Sequence, residues 1–178
     1  MKKILSYLFE IQIEKTSSSL NPVLEVVLQN GKYALHSQNT NYSHGTLHTL
    51  FKRIFRIFSL DWTQINEVLI LGFGAGSIAE IIASYKPKCA ITGVEIDSKV
   101  IELGKKYFGN EQLKNNEIIC SSADVFVKNT DKKFDLIIID AFIDMKVPDE
   151  LETLEFLKNI NKNLNKNGGV IFNKVIYT

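Results

Sequence analysis

Residues 67–97, EVLILGFGAGSIAEIIASYKPKCAITGVEID, constrain the fold more than any other part of the chain. The apolar run 68–71 has the length of a short strand buried on both faces. It breaks into Gly72-Phe73-Gly74-Ala75-Gly76-Ser77, and helix-forming residues follow over 78–83. A second apolar run, 90–94, ends on Glu95. Strand, glycine turn, helix, strand and acid make up a nucleotide-binding βαβ unit. The glycines permit a tight turn and close approach to a ligand, the helix start offers N–H groups, and the acid takes both ribose hydroxyls. Glu95 follows Gly72 by roughly twenty residues, the separation such a unit requires. The expected fold class is α/β: a Rossmann-like, mostly parallel sheet with flanking helices.

The chain extends this unit on both sides. Tyr7, Phe9, Ile11 and Ile13 alternate with Leu8, Glu10, Gln12 and Glu14, the pattern of a half-buried strand. Leu24, Val26 and Leu28 alternate ahead of Asn30-Gly31, with Tyr33 and Leu35 beyond it. Asn-Gly between two such runs signals a hairpin, because a type I′ turn needs φ > 0 twice. Residues 4–37 are therefore expected to form a three-stranded antiparallel sheet. This makes 1–40 an N-terminal unit and 41–178 the Rossmann-like domain. Leu47, Leu50, Phe51, Ile54, Phe55 and Phe58 recur at helical spacing and predict a core-facing helix. Past the glycine unit, Val100, Ile101, Leu103, Tyr107 and Phe108 mark a buried helix face, and 118–120 reads as a third strand. A fourth strand over 134–139 ends on Asp140, at the edge where ligands of open α/β sheets bind. Leu154, Leu157, Ile160 and Leu164 predict a helix stopped by Gly168-Gly169, and 170–177 a fifth strand.

The G-x-G-x-G spacing followed by Val94-Glu95-Ile96-Asp97 resembles the class I S-adenosylmethionine-dependent methyltransferases. More narrowly, it resembles their spermidine-synthase-like branch, whose first strand also lacks an acid two residues before the first glycine, where this chain has Ile70. Asp140-Ala141-Phe142 leading to Val147-Pro148 is similar to a segment of the same branch. The resemblance covers roughly 30–178, and the branch's sheet normally has seven strands where this sequence supplies five. It implies a nucleoside-sulfonium site built from Gly72, Phe73, Gly74, Gly76, Glu95, Ile96, Ala123, Asp124 and Asp140. Asp124 would meet the adenine amino group, or Ser122 if Phe126-Val127 is aligned with the branch's usual apolar pair, and helix capping is the alternative role of Asp124. Asp140 would orient the acceptor or take its proton. Tyr42-Ser43-His44 resembles a rewritten form of the branch's Tyr-His-Glu segment, so Tyr42, His44 and Asp144 are candidate acceptor-binding residues.

The totals exclude several classes. A formal charge of +1 predicts no strong field, so nucleic acid is not an indicated partner. Three histidines and two cysteines without ligand spacing give no metal site, and Cys89 and Cys120 are read as buried reduced thiols. The apolar stretch after Lys2-Lys3 stops at Glu10, too short for an export signal or membrane span, so a cytoplasmic protein with no membrane association is expected. The open fifth strand and the resemblance together suggest a homodimer acting on a small-molecule substrate.

Position 75 separates the possible activities. Aminopropyltransferases resemble one another in a Gly-Gly-Gly-Asp-Gly-Gly loop, whose aspartate attracts the ammonium of decarboxylated S-adenosylmethionine and repels a carboxylate. Here the residue is Ala75, and Asp140 and Asp144 stand four apart rather than three. Both departures rank a methyltransferase using S-adenosylmethionine first. An aminopropyltransferase using the decarboxylated donor and a polyamine comes second, and a non-catalytic nucleoside-binding protein third. A nicotinamide-dependent oxidoreductase keeps the Glu95 logic but not the glycine spacing.

Overall fold

The computed structural model describes residues 2–38, 46–109, 115–143 and 146–174. The expected α/β architecture is present. After a short helix α1 (Lys2–Leu5), strands β1 (Ile11–Thr16), β2 (Leu24–Gln29) and β3 (Lys32–Ser37) form an antiparallel sheet in sequential order. Helix α2 (Thr46–Ile57) leads to alternating strands and helices: β4 (Glu67–Leu71), α3 (Ser77–Tyr85), β5 (Ala90–Glu95), α4 (Ser98–Phe108), β6 (Asn116–Cys120), α5 (Ala123–Asn129) and β7 (Phe134–Ile139). A 3₁₀ turn (Asp149–Glu152), α6 (Leu154–Lys162) and β8 (Leu164–Phe172) complete the described chain. The second sheet runs β6-β5-β4-β7-β8 with every pair parallel.

The central strands show why a continuous apolar run suits a parallel sheet. Val68 and Ile70 of β4 join Leu136 and Ile138 of β7 in one core with Phe51, Phe55 and Ile82. Their neighbours Leu69, Leu71, Ile137 and Ile139 face the other side, with Val127, Phe156 and Ile160. Each side chain so buried contributes about 1.5–3 kcal/mol relative to exposure. A third core joins the two sheets: Leu24, Val26 and Leu35 pack against Ala75, Val100 and Leu103.

The hairpin turn at Asn30 (φ 51°) and Gly31 (φ 75°) has the two positive φ values expected of it. Other expectations shift. The first strand begins at Ile11 rather than near Tyr7, because Ser6 caps the hairpin. Its carbonyl accepts the Asn30 N–H at 2.8 Å and its hydroxyl the Gly31 N–H at 2.9 Å, which folds the preceding residues back over the turn. Gly168-Gly169 does not stop the last helix. That helix ends at Asn163, whose buried amide donates to the Val127 carbonyl at 2.8 Å, and both glycines lie within β8 at a bulge in its pairing with β7. Of the anticipated stripe, Phe51 and Phe55 of α2 are fully buried, whereas Leu50 and, just past the helix, Phe58 are exposed. Cys89 is buried as expected but Cys120 is exposed, on edge strand β6. No helix among the described residues is long and apolar enough to cross a membrane.

Candidate functional site

Five parallel strands bring their carboxyl ends to one edge of the sheet, and the chain leaves β4 towards β5 on one side and β7 on the other. Ligands of open α/β sheets bind in the crevice at such a switch point. Here the crevice is a cavity of about 540 Å³.

The glycine turn forms its first wall. Gly72 (φ 84°) passes against the backbone of β7, where a Cβ would collide with the Asp140 carbonyl oxygen. Phe73 lays its ring on Gly93 of β5, filling the space a side chain there would need. The turn's N–H groups are largely engaged within the protein. Those of Gly72 and Phe73 both donate to the Val94 carbonyl at 2.9 Å, that of Gly76 donates to the Phe73 carbonyl at 3.1 Å, and that of Gly74 donates to Glu95 Oε2 at 2.8 Å. These four turn N–H groups are satisfied within the protein, which leaves them unavailable to a phosphate or a carboxylate; they precede the helix start, which begins at Ser77.

Glu95, at the tip of β5, is buried. Its Oε2 accepts from Gly74 and its Oε1 accepts the Asp97 N–H at 3.0 Å. Burial pushes its carboxyl upward from the usual range, opposed by these backbone donors. The Ile96 backbone adds a third, weaker contribution, and a carboxylate offers about four acceptor positions, so capacity remains for a diol hydroxyl. Asp97 caps α4 by accepting the Lys99 N–H at 2.9 Å on Oδ1. Its Oδ2 accepts from Asn21 Nδ2 at 2.7 Å and from the Ser18 hydroxyl, which clasps the β1–β2 loop to the start of α4. That loop places Leu20 and Asn21 on the cavity.

The opposite wall starts at Asp140, whose N–H donates to the Leu71 carbonyl at 2.8 Å. Burial raises its carboxyl to about 7, against one opposing contact, the Asn173 amide donating to Oδ1 at 2.7 Å. Ser121, Ser122, Ala123 and Asp124 close the end beside β6, and Phe142, Pro148, Glu150 and Leu151 close the rim.

Of the residues expected from sequence, Gly72, Phe73, Gly74, Glu95, Ile96, Ala123, Asp124 and Asp140 all line this cavity. Gly76 stands behind the lining as the N-cap of α3. Asp124 lies in the first turn of α5, whose N-cap is Ser122, so capping is not its role. Tyr42, His44 and Asp144 lie outside the described residues. Sequence reasoning missed Leu20, Asn21, Glu150 and Asn173. In the sequence Asn173 falls inside the expected fifth strand, 170–177, and carries no signal; in the structure that strand is β8, Leu164–Phe172, and Asn173 is the first residue past it.

Comparison with known proteins is decisive at this point. The profile of the spermine/spermidine synthase domain matches residues 54–175, which include both walls of the cavity. The chain belongs to the spermine/spermidine synthase family. Within that family it is 38% identical over 110 residues to a polyamine aminopropyltransferase of Buchnera aphidicola subsp. Acyrthosiphon pisum, covering 59% of this chain and 38% of that one. It is 34% identical over 141 residues to a polyamine aminopropyltransferase of Saccharolobus islandicus, covering 75% of this chain and 46% of the relative. The chain thus spans less than half the length of these curated relatives. A crystal structure of a probable spermidine synthase from Corynebacterium glutamicum superposes with a TM-score of 0.72 at 20% identity, over 90% of this chain and 62% of that one, which establishes a shared fold.

Proposed function

We propose that this family member is an aminopropyltransferase: it binds decarboxylated S-adenosylmethionine and transfers the aminopropyl group to an amine of a polyamine. The observation that carries this reading is the charge of the cavity. Among the described lining residues are five carboxyl side chains, Glu95, Asp97, Asp124, Asp140 and Glu150, and no lysine, arginine or histidine. The decarboxylated donor carries a sulfonium and an ammonium, and a polyamine carries only ammonium groups. Such ligands match an acid-lined cavity, whereas the carboxylate of S-adenosylmethionine would find no cation there and few free N–H groups on the glycine turn. The relatives named polyamine aminopropyltransferases support the same reading.

One of the two reasons for ranking methyl transfer first was Ala75, taken as a ligand-facing position that had lost its acid; the other was the Asp140–Asp144 spacing, and Asp144 lies outside the described residues. Ala75 is buried among Leu24, Val26, Leu35, Val100 and Leu103, between the two sheets and away from the cavity lining. Its identity therefore says nothing about a carboxylate in the donor pocket, and the case for methyl transfer loses one of its two supports.

In the proposed reaction the acceptor nitrogen's lone pair forms a bond to the donor carbon beside sulfur. The carbon–sulfur bond breaks, its electron pair goes to sulfur, and a neutral thioether nucleoside leaves. Before the attack the acceptor ammonium gives its proton to Asp140. No covalent enzyme intermediate is required, so the chain's main contributions are alignment of donor and acceptor, and proton removal. Incubation of the chain with decarboxylated S-adenosylmethionine and 1,4-diaminobutane, followed by mass spectrometry, is expected to show methylthioadenosine and a triamine in equal amounts. A methylated diamine formed from S-adenosylmethionine, with no triamine from the decarboxylated donor, would overturn the assignment.

A further inference from the structure

We propose that Asn173 is a positioning residue for Asp140: its amide holds Oδ1 and leaves Oδ2 to the acceptor amine. The inference rests on the aminopropyl-transfer reading for the identity of that amine, but the geometry is independent of it. Asn173 is the first residue past β8, and its N–H donates to the Ile139 carbonyl at 2.9 Å, continuing the β7–β8 ladder by one step. The ladder thereby sets the Asn173 side chain beside that of Asp140, with Nδ2 at 2.7 Å from Oδ1 and both residues on the cavity. A carboxylate can only accept, so the amide must present its NH₂ here and its orientation is fixed by the pairing.

The surroundings make this contact consequential. The β4 end that packs against Asp140 contributes Gly72, which has no side chain. Past β8, the neighbouring Lys174 is held by Glu152 at 2.9 Å. The other titratable groups around the cavity are Glu95 of β5, Asp97 before α4, Asp124 of α5 and Glu150 of the 3₁₀ turn, all acids. None of the described groups lining the cavity offers a positive charge to favour the ionised form of Asp140. The Asn173 amide does so, because hydrogen bonding to a charged form stabilises it against burial.

The test is a carboxyl titration read apart from catalysis. With the full chain labelled at aspartate carboxyl carbons, NMR should show one resonance titrating near 7, assigned by its loss in Asp140→Asn. In Asn173→Leu, which removes the donor, the midpoint should rise by about one pH unit. Asn173→Asp, nearly isosteric, replaces the donor with a second acid and should raise it as well, because two adjacent carboxyls share a proton. The acid limb of the rate profile should move with the midpoint. Asn173→Leu should then lose about fivefold in rate at pH 7 and recover above pH 9. A midpoint unmoved in both variants, or a rate loss equal at every pH, overturns the positioning role. If the midpoint moves while the wild-type chain makes no triamine, the Asn173–Asp140 coupling stands and the proposed reaction falls.

Discussion

Asp140→Asn is expected to lower turnover by about 10²- to 10⁴-fold, the range for a lost general base, while donor affinity changes little. Asparagine keeps the shape and can still pair with Asn173, but it cannot accept a proton from an ammonium. In the wild-type chain the rate should rise through an acid limb near pH 7, where burial has placed the carboxyl. The same shift has a stability consequence of definite sign. The folded-state value lies above the ordinary 3.8, so the folded chain holds this proton more tightly than the unfolded one. Its contribution is present below pH 4 and is lost as pH rises through about 7. Asparagine does not titrate. The melting temperature of Asp140→Asn should therefore gain on that of the wild type between pH 5 and pH 8. Steady-state kinetics and a pair of melting series check both halves.

Glu95→Ala should weaken donor binding by one to two orders of magnitude, corresponding to about 1–3 kcal/mol for the lost diol contact. The substitution should also cost stability. Both carboxylate oxygens already accept backbone N–H groups, from Gly74 and Asp97. Alanine would leave those two buried donors unsatisfied, at about 1–3 kcal/mol each unless water enters. The variant should thus melt lower as well as bind less, and calorimetric titration beside a thermal melt separates the two effects. Affinity equal to wild type in a folded variant would remove Glu95 from the ribose site.

The βαβ core was legible because each of its signals is local. Apolar runs of strand length, glycines at a turn and an acid at a strand tip can be read without knowing what packs above them. The residues that complete the cavity were not legible for the opposite reason. Leu20 and Asn21 reach it only because Asp97 clasps the β1–β2 loop across some 76–79 residues of sequence. Asn173 reaches it only through the register of β8 on β7, which in turn depends on the bulge at Gly168-Gly169. Ala75 shows the limit of reading a side chain's direction from a motif. Gly74 (φ 56°) and Gly76 (φ 88°) flank it with left-handed backbone, and the turn sends its methyl into the inter-sheet core instead of the ligand crevice. The same long-range effect explains β1, where alternation suggested a strand from Tyr7 but the hairpin draws Ser6 away from the extended path.

The preference of the acid-lined cavity for a donor without a carboxylate is tested most directly by calorimetric titration of the full chain. Decarboxylated S-adenosylmethionine and S-adenosylmethionine would be titrated in parallel at pH 8, above the value of about 7 at Asp140, and at low ionic strength, where screening is least. The expected result is at least tenfold tighter binding of the decarboxylated donor, about 1.4 kcal/mol, shrinking as salt is added. Equal or tighter binding of S-adenosylmethionine would contradict aminopropyl transfer and return methyl transfer to first place.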